Sequence, residues 1–212
     1  MSAVKEMLWS FPVFIMTSPF KGFDEMKYLK RGDMRFAAFI LLLAGFVNIM
    51  RNLHTGFIVS GFWSAVPTVD VRVTLLMTYS PIVLFCLANW SITTLTDGKG
   101  TIKEVLLTYC YSMFPMVICT IIGIVLSNFV TGNEAAFASF FFIFGIMLQY
   151  GYLFIGLIMI HEYTFLKAIL MVVFTIISMI IITFIAMLVF ALFNNVITFF
   201  QIVFSEFDLH WR

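Results

Sequence analysis

His161 and Glu162 stand side by side in this chain, the residue pair with which a zinc hydrolase motif begins. That chemistry needs a second histidine four places after the first, where both can reach one metal, and position 165 is Phe165. Gly98-Lys99-Gly100-Thr101 offers the residue types of a phosphate cradle. A Walker loop runs Gly-x-x-x-x-Gly-Lys-Ser/Thr after a buried strand, whereas here a glycine separates lysine from threonine. Ser64 follows Gly61-Phe62-Trp63 without the Gly-x-Ser-x-Gly order of a nucleophile elbow. Cys86, Cys110 and Cys119 are scattered through apolar runs without Cys-x-x-Cys spacing, and read as small hydrophobes. The residue types for chemistry are present and the spacings are not. The sequence predicts no catalytic residue, no metal site, no cofactor and no enzymatic activity.

What remains is a set of residues suited to structure or to contact with a partner. Asp97-Gly98-Lys99-Gly100-Thr101 predicts a tight turn, since both glycines accept positive φ. Thr101 with Glu104 three places on is a capping box that opens a helix. Lys99 is expected to stand in water. Pro81 and Pro115 fall inside apolar helices, where each removes a backbone hydrogen bond and predicts a kink, for packing or for a substrate path. Tyr111 completes this group, as a polar handle within an apolar stretch.

The elements that hold these residues are set by where the charges stop. Hydrophobic residues make up 62% and charged ones 11%, with a mean hydropathy of +1.07, against roughly 45–50% and 25% in soluble domains. Twelve Lys and Arg against eleven Asp and Glu leave a net charge of +1, so no bulk charge draws nucleic acid. A hydrocarbon core of about 30 Å needs about 20 helical residues. The uncharged runs predict five membrane spans at about 34–53, 73–93, 105–128, 137–160 and 168–192. The first is short and relies on Arg35 and Arg51 to snorkel. The fold class is therefore all-α, a polytopic helical bundle.

The last uncharged run, 168–205, is too long for one crossing. The amides of Phe193-Asn194-Asn195 interrupt it, so residues 193–212 read as an amphipathic tail outside the 34–192 membrane domain. That tail either continues the fifth span or bends at the asparagines, with Phe199, Phe200 and Val203 on its apolar side. Asn89 and Gln149 are expected to hydrogen-bond between helices. Trp63, Trp90 and Trp211 are placed as an interfacial belt. Gly145, Gly151 and Gly156 thin the fourth span.

With five spans the termini lie on opposite sides. Nine Lys and Arg fall on the N-terminal side and three, Arg51, Arg72 and Arg212, on the other. The positive-inside rule then makes the N-terminus cytoplasmic and the C-terminus extracytoplasmic. Residues 1–33 read as a basic-aromatic interfacial segment with Trp9, Phe11, Phe14 and Phe20 among the headgroups and helices limited by Pro12 and Pro19. No small-x-small cleavage site follows, which argues against a signal peptide. Lys21, Lys27, Lys30, Arg31 and Arg35 are expected to favour anionic lipid, a pull weakened by Asp24, Glu25 and Asp33.

Four passages then carry a family resemblance. They are Ser18-Pro19-Phe20-Lys21-Gly22-Phe23 through Lys27, Leu95 through Val105, Tyr109-Cys110-Tyr111-Ser112-Met113-Phe114-Pro115, and Phe193 through Glu206. In this order the chain resembles a bacterial member of the Yip-domain family, membrane proteins whose eukaryotic relatives interact with Rab GTPases in vesicle trafficking. The resemblance implies a five-helix membrane domain and a place in the bacterial plasma membrane. Rab binding in the family is attributed to a longer cytoplasmic N-terminal region. About 35 residues precede the first span here, a departure from that pattern which puts Rab binding in doubt. Two classes of function follow. The first is a non-enzymatic membrane scaffold or adaptor that organises protein partners or membrane shape, with a membrane-protein partner or further copies of itself. The second is a small transporter, a channel or an accessory subunit of one.

Overall fold

The structure is a computed structural model, and it describes residues 10–55, 59, 70–96, 98–131 and 134–210. Among these, seven helices follow one another along the chain. Two are short, α1 (Phe11–Thr17) and α2 (Pro19–Tyr28). Five are long, α3 (Met34–His54), α4 (Val71–Leu95), α5 (Ile102–Ser127), α6 (Ala135–His161) and α7 (Phe165–His210). The five long helices are apolar enough and long enough to cross a membrane. The first four begin and end within three residues of the spans expected from the charge map.

Local chemistry starts the helices where the charges stand. Asp33 and Asp70 each accept a bond from the backbone N–H two residues on, at 2.8 Å, and so cap α3 and α4. Thr101 and Glu104 form the predicted capping box on α5, with both reciprocal bonds present. Pro12 and Pro19 lie in the first turns of α1 and α2, where a missing N–H removes no helical bond.

Helix α5 is the centre of the bundle. It packs against α6, α3, α4 and α1, and its buried residues run almost continuously from Thr108 to Pro115. Hydroxyls on that buried face are satisfied locally: Thr108 donates to Glu104 O and Ser112 to Thr108 O, so α5 carries polar groups inside at little cost. Glycine lets α6 approach closely, since a Cβ on Gly145 would lie 2.9 Å from Cys119 Cβ. Gly151, by contrast, faces open space.

The N-terminal helices fold back onto the bundle. Phe11 is buried, not among headgroups, and meets Tyr111 edge-on at 5.4 Å. Tyr111 also stacks on Phe36 at 4.4 Å and accepts a bond from Asp33 N at 3.4 Å. Phe23 and Met26 of α2 are buried, and α2 packs against α6. Phe20 remains exposed. Trp9, Trp63 and Trp211 lie outside the described residues, while Trp90 is exposed.

Helix α7 is the outlier. Its packing is mainly against α4, with a smaller contact to α6. It runs unbroken through Asn194 and Asn195 for 46 residues, about 69 Å, so the asparagines do not interrupt it.

Candidate functional site

Polar and charged side chains converge at one end of the bundle, where α2, the α4–α5 turn and the α6–α7 connection meet. The convergence begins with how α6 ends. Glu162 takes the left-handed conformation, φ 55°, and Tyr163 N donates back to Ile158 O at 3.1 Å. Glycine usually fills such a position, because a Cβ there costs about 1–2 kcal/mol. A glutamate is kept here, and its carboxylate is fully used.

Lys27 on α2 and Lys99 in the turn each place Nζ 2.6 Å from one Glu162 oxygen, Oε1 and Oε2 respectively. Tyr28 donates its hydroxyl to Oε1 at 2.6 Å. Those hydrogen bonds, from Lys27 first, then Lys99 and Tyr28, hold the carboxyl down at about 2. The Glu162 carboxylate in turn pushes the Tyr28 phenol upward. One side chain thus joins three segments distant in sequence.

Beneath this clasp lies a second layer. His161 Nδ1 accepts the Gly100 N–H at 3.2 Å, and Nε2 lies 3.2 Å from Asn89 Oδ1. Asn89 donates to Thr175 Oγ1 at 3.2 Å. Asn89, His161 and Thr175 are all buried, and together they tie α4, the turn, α6 and α7. The Tyr163 ring stacks on His161 at 5.1 Å, and Lys167 Nζ sits 4.9 Å above that ring.

The turn glycines are explained by this proximity. Neither Gly98 nor Gly100 has positive φ, so the turn does not draw on that backbone freedom. What they provide is room. A Cβ on Gly98 would stand 2.5 Å from the Tyr163 hydroxyl oxygen and 2.7 Å from Thr93 Cβ. On Gly100 it would stand 2.5 Å from Ile160 Cγ2 and 2.6 Å from His161 Cε1. Lys99 is 66% exposed at its side chain and is paired there with Glu162.

Of the residues singled out by sequence, Gly98, Lys99, Gly100, Thr101 and Glu104 gather here, and Asp97 lies outside the described residues. Tyr111 is buried and packs the N-terminal segment, while Pro115 is buried in α5. Pro81 lines a groove of about 880 Å3 between α4, α5, α6 and α7, with Tyr109, Tyr150 and Phe184 among its walls. Of the basic residues, Lys27 is committed to Glu162 and Arg31 to Glu25 at 2.6 Å; Lys21, Lys30 and Arg35 are exposed. Sequence reasoning missed Glu162 as the hub. Its signal was a lone acid directly after a long uncharged helix.

Chemically, the arrangement binds segments together. Its histidine and carboxylate are both spent on internal partners. Among the described residues no group of three or more His, Cys, Asp or Glu is placed to hold a metal ion. Compared with known proteins, residues 13–187 match the family model described as the Yip1 domain. Neither the curated proteins nor the solved structures yield a match.

Proposed function

The chain belongs to the Yip1 domain family, and from that premise we propose that this integral membrane protein is a non-enzymatic scaffold or adaptor that presents its N-terminal face to a protein partner. The observation that carries the reading is the Glu162 clasp. It spends charge on fixing α2, the α4–α5 turn and the α6–α7 connection into one surface rather than on a substrate. Beside it Phe20 and Tyr28 of α2 and Leu29 just after it are exposed, large side chains suited to contact.

The nine-to-three distribution of Lys and Arg supports a cytoplasmic setting for this face, in a bacterial plasma membrane. Exposed Lys21, Lys30 and Arg35 then stand on the cytoplasmic side, where they favour anionic lipid. Residues 193–212 lie on the extracytoplasmic side.

The test is purification of the full chain in mild detergent, with identification of what comes with it, for wild type and Glu162→Gln. A scaffold retains a defined protein partner and loses much of it when the clasp is loosened. Solute flux through vesicles holding the purified chain alone would instead support a transporter or channel and overturn the scaffold reading.

A further inference from the structure

Helix α7 has more apolar length than a bilayer can absorb. From Lys167 to Glu206 it carries no charge, and those 38 intervening residues extend about 57 Å. A core of about 30 Å covers about 20 of them, or about 26 at the steepest usual tilt of about 40°. The helix therefore leaves the hydrocarbon near Phe193. It has no means of turning there to lie flat. Sharp kinks arise at proline, at Gly/Ser pairs or at bulges, and Met179 to Phe204 holds no proline, glycine or serine and is unbroken helix. The tail continues outward along its own axis.

Its surface there follows a seven-residue pattern. With Phe193 at position a, Val196 falls at d, Ile197 at e, Phe199 at g, Phe200 at a and Phe204 at e. All six are apolar and 45% to 71% exposed. Val203 takes the next d place in the sequence. Positions b, f and c carry Asn194, Asn195, Thr198 and Gln201, with Ile202 the one apolar residue among them, a polar stripe on the opposite side. The six apolar side chains are not covered by the rest of the chain. A helix so apolar is not stable alone in water.

We propose that three or more copies of this chain assemble in parallel through residues 193–204 of α7. The a and d seam is what one neighbour covers; apolar residues at e and g as well require neighbours on two sides, which a dimer does not supply. Copies are the occupants the geometry favours. The membrane domain holds every copy's tail on one side and at one height, so the apolar bands meet in register without adjustment. Asn194, Thr198 and Gln201 then face water.

The experiment uses the full chain in lipid vesicles, with Cys86, Cys110 and Cys119 replaced by alanine and one new cysteine introduced. Under a mild oxidant, Phe200→Cys should give linked dimers severalfold faster than Gln201→Cys, because only the a position brings Cα atoms within the about 4.4–6.8 Å a disulfide needs. Light scattering in mild detergent should give three or more chains per particle, and one chain for Phe200→Glu. Should Phe200→Cys fail to fold, Phe193→Cys against Asn194→Cys makes the same comparison. Equal linking at both positions, a single chain per wild-type particle, or a different polypeptide on the tail of a single copy each overturns the proposal.

Discussion

Lys27 and Glu162 are 135 residues apart in the chain, and their side chains meet at 2.6 Å. The Lys27 side chain is only 11% exposed at that contact, so α2 is fastened to the end of α6 by a shielded ion pair as well as by Phe23 and Met26 beneath it. Helix α2 is thereby part of the folded unit.

Replacing Glu162 separates backbone from side chain. Glu162→Gly relieves the left-handed backbone and removes the clasp; Glu162→Gln keeps the backbone and removes only the charge. If the clasp matters more, both variants should show severalfold faster proteolytic cleavage between Tyr28 and Asp33 than wild type. Faster cleavage in the glutamine variant alone would show that backbone relief outweighs the ion pairs.

The acid side of the stability curve should carry the same signature. The Glu162 carboxyl is lowered from 4.5 to about 2 by Lys27, Lys99 and Tyr28. A depressed carboxyl contributes stability that is fully present above the ordinary value and is lost as pH falls toward the folded one. The melting difference between wild type and Glu162→Gln should hold steady above about pH 5 and shrink between 4.5 and 2. Thermal unfolding in detergent at a series of pH values measures it. A difference that persists unchanged at the acid end contradicts the assignment.

At the turn, shape should outweigh charge. Gly100→Ala forces a Cβ against Ile160 and His161, overpacking that typically costs about 1–3 kcal/mol. Lys99→Ala removes one exposed ion pair, usually worth less than about 1 kcal/mol. The yield of monodisperse protein and its melting temperature should fall further for Gly98→Ala and Gly100→Ala than for Lys99→Ala. The reverse order would identify the turn as a charge-reading element.

Asn89 anchors α7 to the remainder. Asn89→Leu leaves His161 and Thr175 buried without a shared partner, a loss of about 1–3 kcal/mol. The expected result is a lower melting temperature with α7 loosened first, visible as faster labelling of a cysteine introduced at Ala168, a buried α7 position that leaves the Asn89–Thr175 pair intact. Unchanged labelling would place the anchor elsewhere.

Topology has its own check. In a background without the three native cysteines, Lys99→Cys should react with an impermeant reagent in inverted vesicles and not in intact cells. Reaction in intact cells would invert the proposed orientation.

The long helices were readable because membranes punish charge: each run ends at Arg, Asp, Lys or Glu, and the helix ends follow them closely. Capping by Thr101 and Glu104 was readable because it is local. The clasp was not, because it depends on α2 folding back on α6, a packing event that leaves no periodic trace. His161 and Glu162 were visible as residue types, yet their partners Gly100, Asn89, Lys27 and Lys99 lie 61 to 135 residues away. The glycines of the turn were noticed for the wrong property, backbone freedom, when side-chain room at His161 and Tyr163 decides them. Asn194 and Asn195 suggested a break because amides interrupt apolar runs; a helix accepts them on its polar stripe.

The one-sided attachment of α7 makes it a lever. Its buried grip is near Thr175, and 35 residues of helix, about 52 Å, extend from there to His210. A tilt of about 5° at the grip carries the far end through roughly 4–5 Å. Because Thr175 bonds Asn89, and Asn89 meets the histidine that holds Gly100, a small rearrangement at the N-terminal face has a mechanical advantage at the opposite one.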